Sequence, residues 1–163
     1  MIARFSRQCS TAVASFVLAL SLSGAASADG VPKSGIITVK SVYSMSETVA
    51  RLKQDVAAKG IKFFIEVDQQ MLAADAGIKL RPSTLLIFGN PPLGTLFISA
   101  NPLAGLDWPV RLLVLEDEKG EVWAAYTDFA YIARRHHVEG AEAEAFNKAS
   151  GVIASITSSV AAR

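Results

Sequence analysis

The residues best suited to chemistry in this 163-residue chain lie between Gly89 and Asp107. Asn90 precedes two prolines, a residue type tolerated at the start of a helix because its missing amide has no partner there. A helix starting here would leave the backbone amides of Gly94 and Thr95 facing open space, and we predict that they form a site for an anion or a carbonyl group. Turn chemistry alone also accounts for Gly89 and Asn90, so a purely structural role stays open.

Asn101 and Asp107 are further polar candidates for this site. Each side chain can bind a ligand, and each can instead cap a helix or a loop. No residue is assigned a catalytic role. The predicted ligand-binding residues are Gly89, Asn90, Gly94, Thr95, Asn101 and Asp107.

The two histidines, His136 and His137, are adjacent in the sequence. Neighbouring positions on a helix point about 100° apart, so the two rings do not converge on one metal ion. The acidic residues of 116–121 lack the alternating ligand spacing of a calcium loop. The sequence also contains no P-loop, no G-x-S-x-G and no H-E-x-x-H motif. We therefore expect neither a metal ion nor a cofactor.

The elements that position these residues follow from hydrophobic periodicity. A strand is predicted over residues 36–42. Ser44-x-x-Glu47 is a capping box, in which hydroxyl and carboxylate each satisfy a backbone amide, and Lys59-Gly60 ends the helix that follows. Further strands are predicted over 61–68, 83–88, 110–116 and 122–127. Further helices are predicted over 69–76, 93–100, 128–135 and 146–160. With the short helices left aside, the five strands and the two long helices follow one another in the order β-α-β4-α. This order predicts an α+β fold with two layers, a mostly antiparallel sheet with helices on one face.

The first 28 residues predict a cleavable secretory signal peptide. Arg4 and Arg7 precede an uncharged, largely apolar run from Thr11 to Leu22, and Ala26-Ser27-Ala28 supplies the small residues that a signal peptidase reads. That run has about 12 residues, whereas a membrane span needs roughly 20. The predicted division is cleavage after Ala28, a loose leader over residues 29–35 and one domain over 36–163, in a periplasmic or secreted protein with no membrane span after cleavage.

The net charge of the mature chain limits the partners that we expect, and its cysteine content limits the chemistry. The full chain has 16 Lys+Arg and 15 Asp+Glu, so loss of Arg4 and Arg7 leaves 14 against 15, a net charge of −1. Strong attraction to nucleic acid needs a basic surface, so nucleic acid is not an expected partner. The one cysteine, Cys9, lies in the predicted signal peptide, which leaves no thiol for a disulfide or for catalysis.

Several segments have a recognisable pattern: LRPSTLLIFGNP at residues 80–91, GT at 94–95, ANPLAGLDWP at 100–109 and YTD at 126–128. They resemble the bacterial family called domain of unknown function 302, and the resemblance covers residues 36–137. It implies a β-α-β4-α fold similar to that of the TATA-binding protein, and a homodimer. A shared fold does not imply DNA binding.

One position departs from the family pattern. Relatives often have Asp-His after the second strand, whereas Asp68 is followed here by Gln69. A neutral glutamine cannot act as a base and is a poor metal ligand. Any chemistry that depends on that histidine in relatives is therefore not expected in this chain.

Three functional hypotheses remain. The first is a non-enzymatic module that binds a small, partly apolar molecule or a partner protein in the concavity between sheet and helices. The second is an enzyme, for example a hydrolase, with the helix start at Asn90–Thr95 as its electrophilic site. The third is a homodimeric structural protein whose interface contains Trp108, Phe97 and the C-terminal helix.

Overall fold

Between residues 34 and 162, five antiparallel strands form one sheet in the order β1-β5-β4-β3-β2. The strands are β1 (Ile36–Lys40), β2 (Lys62–Asp68), β3 (Ser83–Gly89), β4 (Val110–Glu116) and β5 (Val122–Thr127). This computed structural model describes residues 34–162, without the side chains of 141 and 142. The predicted signal peptide and the first part of the leader lie outside the described residues.

Within the described residues, five α-helices accompany the sheet. They are α1 (Met45–Ala58), α2 (Gln69–Asp75), α3 (Pro91–Ala100), α4 (Phe129–Arg135) and α5 (Ala141–Ser158), with a short 3-10 helix over Pro102–Leu106. The predicted α+β class and the antiparallel sheet are confirmed. None of the helices in the described part of the chain is long and apolar enough to cross a membrane.

The start of α1 shows which half of the predicted capping box forms. The Ser44 hydroxyl accepts a hydrogen bond from the Glu47 amide at 3.4 Å. The Glu47 carboxylate does not reach back to Ser44 and instead pairs with Arg51 one turn later, at 2.8 Å. The second half of the prediction is therefore wrong, because an i,i+4 arginine offers this carboxylate a charged donor.

The core lies between the sheet and α1, α3 and α5. Leu52 from α1 and Phe146 from α5 have no exposed surface, and neither has Leu112 from β4. Phe97 from α3 stacks on Phe146 with ring centroids 3.8 Å apart. Burying such a side chain contributes about 1.5–3 kcal/mol, so these contacts fix the helices on this face of the sheet.

A bulge in β2 overturns the predicted alternation of that strand. The sequence pattern places Phe63, Ile65 and Val67 on one face. In the structure Phe63 pairs with Phe88 on the helix side, and the register shifts before Ile65. The extra residue turns Ile65 and Val67 to the opposite face, as a bulge does, and leaves Ile65 52% exposed.

The face of the sheet turned away from the core is also apolar, and we call it the open face. Along β3, β4 and β5 its side chains alternate with the buried ones, and they are half-buried or exposed. Its apolar members are Ile36, Ile65, Val67, Leu85, Ile87, Leu113, Leu115, Trp123 and Ala125. At one edge, Leu80 from the loop after α2 joins Leu115 in lining a cleft of about 670 Å³.

Candidate functional site

The start of α3 does not carry the open amides that the sequence predicted. The Asn90 side chain accepts from the Leu93 amide at 3.4 Å, and the Asn90 carbonyl accepts from the Gly94 amide at 2.8 Å. The two intervening prolines have no amide to offer. Thr95 lies inside the helix, and its hydroxyl donates to the Pro91 carbonyl at 2.9 Å. The expectation of a free amide at Gly94 is therefore wrong, because ordinary helix bonding uses it.

Gly89 and Gly94 are explained by Trp108 instead. A Cβ added at Gly94 would meet the indole at 2.0 Å, and one added at Gly89 would meet it at 3.1 Å. Neither glycine has a positive φ, so close approach of a ring, not backbone conformation, excludes a side chain here. Trp108 also packs against Phe64 in an edge-to-face arrangement, with ring centroids 6.1 Å apart.

Next to Trp108, an apolar cavity of about 40 Å³ lies between the sheet, α3 and α5. It adjoins a wider opening of about 480 Å³ at the surface. The two spaces share Ile61, Asn90, Leu93 and Val152. We call them together the α3–α5 groove. Its inner end is lined by Phe88, Phe97, Trp108 and Phe129 among others, and its mouth also by Lys59, Lys148, Gly151 and Ser155.

Gly151 forms part of the mouth of the groove from the middle of α5. A Cβ added there would meet nothing within 4 Å. Glycine inside a helix costs roughly 0.5–1 kcal/mol relative to alanine. No neighbour demands that cost, so the effect of the missing side chain is to leave the mouth of the groove open.

Asn101 and Asp107 belong to a different place in the fold, at the end of α4. The Asp107 carboxylate lies 2.6 Å from Nε2 of His136, and both side chains are 6% exposed. Arg111 at 3.2 Å and Arg135 at 3.4 Å also face this carboxylate. The Asn101 side-chain amide donates to the His136 carbonyl at 2.9 Å.

This Asp107–His136 pair joins the loop before β4 to the end of α4. The space beside Asp107 has a volume of only about 10 Å³, which holds at most one water molecule. Sequence reasoning missed the role of His136, because nothing in the sequence links residues 29 positions apart. The adjacent His137 is exposed and has a φ of 53°.

The structure therefore does not bring the six predicted site residues together at one site. Gly89 and Asn90 line the α3–α5 groove. Gly94 packs on Trp108, Thr95 bonds within its helix, and Asn101 and Asp107 form the contact with α4. Across residues 34–162, no three His, Cys, Asp or Glu side chains are grouped so that they could hold a metal ion.

Two ionisable groups outside the groove have shifted pKa values. Burial raises the pKa of Tyr126 above its usual 10.0, although a hydrogen bond with Thr157 opposes the shift. The pKa of Asp117 is lowered, chiefly by the backbone amide of Glu121 and further by the amide of Lys119 and the indole of Trp123. Asp117 thus serves the β4–β5 turn, and its ionised form is the one that the turn stabilises.

A family model described as a domain of unknown function, DUF302, matches residues 37–156. The chain belongs to the DUF302 family. A solved structure described as an uncharacterised conserved DUF302 protein from Bacillus stearothermophilus superimposes with a TM-score of 0.70 at 18% identity. The match covers 77% of this chain and 98% of that one, so the two proteins share the fold.

The curated relatives that the chain matches are longer proteins. The chain is 41% identical over 103 residues to proteins called fluoride-specific ion channel FluC 1 from Brucella suis biovar 1 (strain 1330) and Brucella abortus biovar 1 (strain 9-941). The match covers 63% of this chain, but only 41% and 38% of the two relatives. The chain thus spans about two fifths of the length of these relatives.

Proposed function

We propose that this protein is a non-enzymatic module that binds a small, largely apolar molecule in the α3–α5 groove. The observation that carries the proposal is an opening of about 480 Å³ above an apolar inner cavity. Ligand sites are usually concave, apolar spaces of about 300–1,000 Å³ with few polar groups. Gly151 supports the same proposal, because it leaves the mouth of the groove open although no neighbouring atom requires a glycine there.

A fluorescence titration with N-phenyl-1-naphthylamine, a neutral apolar probe, tests this proposal. The variant Gly151→Leu places a side chain in the mouth of the groove and meets no neighbour at its Cβ. We expect it to weaken probe binding by at least about tenfold, since the bound ring and the new side chain occupy the same space. Ala154→Leu adds the same side chain at an exposed position of α5 that does not line the groove, and serves as the control.

Both variants are checked by circular dichroism and thermal melting, so that loss of folding is not mistaken for loss of binding. Equal probe affinity in Gly151→Leu and Ala154→Leu would remove the groove as the ligand site. Tight binding by wild type and Ala154→Leu alone is the result that the proposal expects.

The enzyme alternative has less support. Its proposed electrophilic site at Asn90–Thr95 has lost the Gly94 amide to the helix. His136 and Asp107 have the residue types of an acid–base pair, but the adjoining space of about 10 Å³ admits no substrate. Binding without turnover is the function that these two observations favour.

Fluoride is a second candidate ligand, suggested by the name of the longer relatives. A fluoride ion needs closely spaced hydrogen-bond donors, whereas the inner end of the groove is lined by aromatic and aliphatic side chains. We therefore expect the fluorine NMR signal of sodium fluoride to keep its position and width when the protein is added. A saturable change would instead favour fluoride as the ligand.

We further propose that a second copy of this chain covers the open face. Five strands of about six residues, about 4.8 Å apart, make a face of about 500 Å². Two copies would then bury about 1,000 Å², the lower bound of a specific interface. This figure is for a flat face and leaves out the additional surface of the projecting side chains. Leu80, which is exposed and lines the cleft together with Leu113 and Leu115, enlarges the apolar area.

This proposal relocates the interface expected from the sequence. Phe97 is only 3% exposed and stacked on Phe146, so it is not available to a partner. Leu113→Glu, which puts a charge at the centre of the open face, should convert a dimer to a monomer in light scattering. Ala57→Glu on the exposed side of α1 should leave the dimer unchanged. A monomeric wild type, or a dimeric Leu113→Glu, would contradict the proposal.

Export is the third part of the proposal, and it rests on the sequence of residues 1–28. In an exporting bacterium we expect the protein in the periplasmic or extracellular fraction, with Asp29 as its first residue. N-terminal sequencing of the fractionated protein tests this. A chain that keeps Met1 and stays in the cytoplasmic fraction would overturn it.

A further inference from the structure

The mouth of the α3–α5 groove has an uneven charge. Lys59 and Lys148 both line it, and none of the acidic side chains that the structure describes does. Its other polar lining residues are Asn90 and Ser155. The inner end offers aromatic and aliphatic side chains. The groove therefore has a basic mouth and an apolar inner end.

The two lysines differ in how far their charge is already balanced. Lys59 pairs with Asp55 at 2.7 Å. No carboxylate among the described side chains lies within ion-pair distance of Lys148. Lys148 is exposed on α5, one turn before Gly151. It is thus the cation that a ligand entering past Gly151 would meet.

The start of α3 cannot supply this charge recognition in place of the lysines. Pro91 and Pro92 have no amide, and the amides of Leu93 and Gly94 both donate to Asn90. Since backbone donors are used up at this helix end, the lysine ammonium groups are the cationic partners left at the rim.

We infer that the ligand is an amphiphilic monoanion, whose carboxylate or similar head lies at Lys148 and whose hydrocarbon or aromatic body enters the groove toward Trp108. This inference rests on the proposed function and adds the chemical class of the ligand. An ammonium group at the rim stabilises the anionic head, while burial of the body contributes most of the affinity.

Two probes with the same aromatic body separate the charge from the apolar part. The compound 8-anilinonaphthalene-1-sulfonate carries one negative charge, and N-phenyl-1-naphthylamine lacks it. Lys148→Gln should weaken binding of the sulfonate by about fivefold, the upper range for an exposed ion pair. It should leave the neutral probe within about twofold, because no charge is lost there. Lys119→Gln removes the same charge from the exposed β4–β5 turn and is the control.

The outcomes distinguish this inference from the proposal beneath it. If Gly151→Leu blocks both probes and Lys148→Gln changes neither, the groove remains the ligand site and the anionic class is wrong. Equal weakening of the sulfonate by Lys148→Gln and Lys119→Gln also overturns the inference, since it reflects net charge only. If Gly151→Leu blocks neither probe, the proposed function itself fails. Selective weakening of the sulfonate by Lys148→Gln is the expected result.

Discussion

Trp108 lies against the backbone of Gly94, where a Cβ would meet the indole at 2.0 Å. The tryptophan also lines the inner end of the groove. Any side chain at Gly94 must move the ring or the helix, so this glycine shapes the cavity without contacting a ligand. A residue can thus be essential to a site through packing alone.

Gly94→Ala should lower the free energy of unfolding by about 1–3 kcal/mol, the usual cost of overpacking a core. Urea unfolding measures this cost. Gly151→Ala is the matched control, because its Cβ meets nothing and alanine favours the helix by about 0.5–1 kcal/mol. Stabilisation by both variants would show that Trp108 moves aside freely, which contradicts the close packing.

Asp117 gives a prediction about pH. Its lowered pKa means that it contributes stability above the usual carboxyl pKa of 3.8, and that the contribution is lost as pH falls through the lowered value. The difference in melting temperature between wild type and Asp117→Asn should therefore shrink when pH falls from neutral to below 3.8. Thermal melts over a pH series test this, and a difference that stays constant would contradict it.

At the scale of single residues, local chemistry predicted the caps and missed the long-range pairs. Ser44 caps α1 as expected, because a cap depends on neighbours within three residues, and Asn90 caps α3 in the same way. The contact of Asp107 with His136 spans 29 residues. Only the fold brings these two side chains together, so neither spacing nor composition signals their pairing.

Among the elements, α4 is joined through its last turn to Asn101 and to the loop before β4. His136 ends this helix, bonds Asp107 at 2.6 Å, and offers its carbonyl to Asn101. Arg111 and Arg135 remain near Asp107 when the imidazole is removed. The Asp107 carboxylate then loses its hydrogen bond to the imidazole but keeps the two arginines as partners.

His136→Ala should consequently cost about 1–3 kcal/mol of unfolding free energy, the cost of one lost partner of a buried acceptor. Chemical denaturation provides the value. The control is His137→Asn, at an exposed position whose φ of 53° asparagine tolerates; it should change stability by less than about 0.5 kcal/mol. Equal effects of the two variants would mean that the buried pair adds no stability.

Element types were predictable and one register was not. The 3.6-residue period of α1 survives in the structure, because one face of the helix is buried. The bulge at Phe64 leaves no mark in the alternation of β2. Local sequence cannot show it, since the extra residue is itself aromatic and fits either face.

For the whole molecule, the groove and the open face lie on opposite sides of the sheet. The groove is formed on the helix side, by segments as far apart as Lys59 and Ser155. A second copy on the open face would leave its mouth accessible. Dimerisation and ligand binding are therefore compatible. A concavity between sheet and helices could be predicted from the sequence, but most of its lining residues could not, because its walls come from distant parts of the chain.

The central claim is that the α3–α5 groove holds a small molecule. Native mass spectrometry of the protein, purified gently from an exporting cell, tests it most directly. We predict a reproducible extra mass on wild type and on Ala154→Leu, and none on Gly151→Leu. A bare wild-type chain, or the same extra mass on Gly151→Leu, would contradict the account.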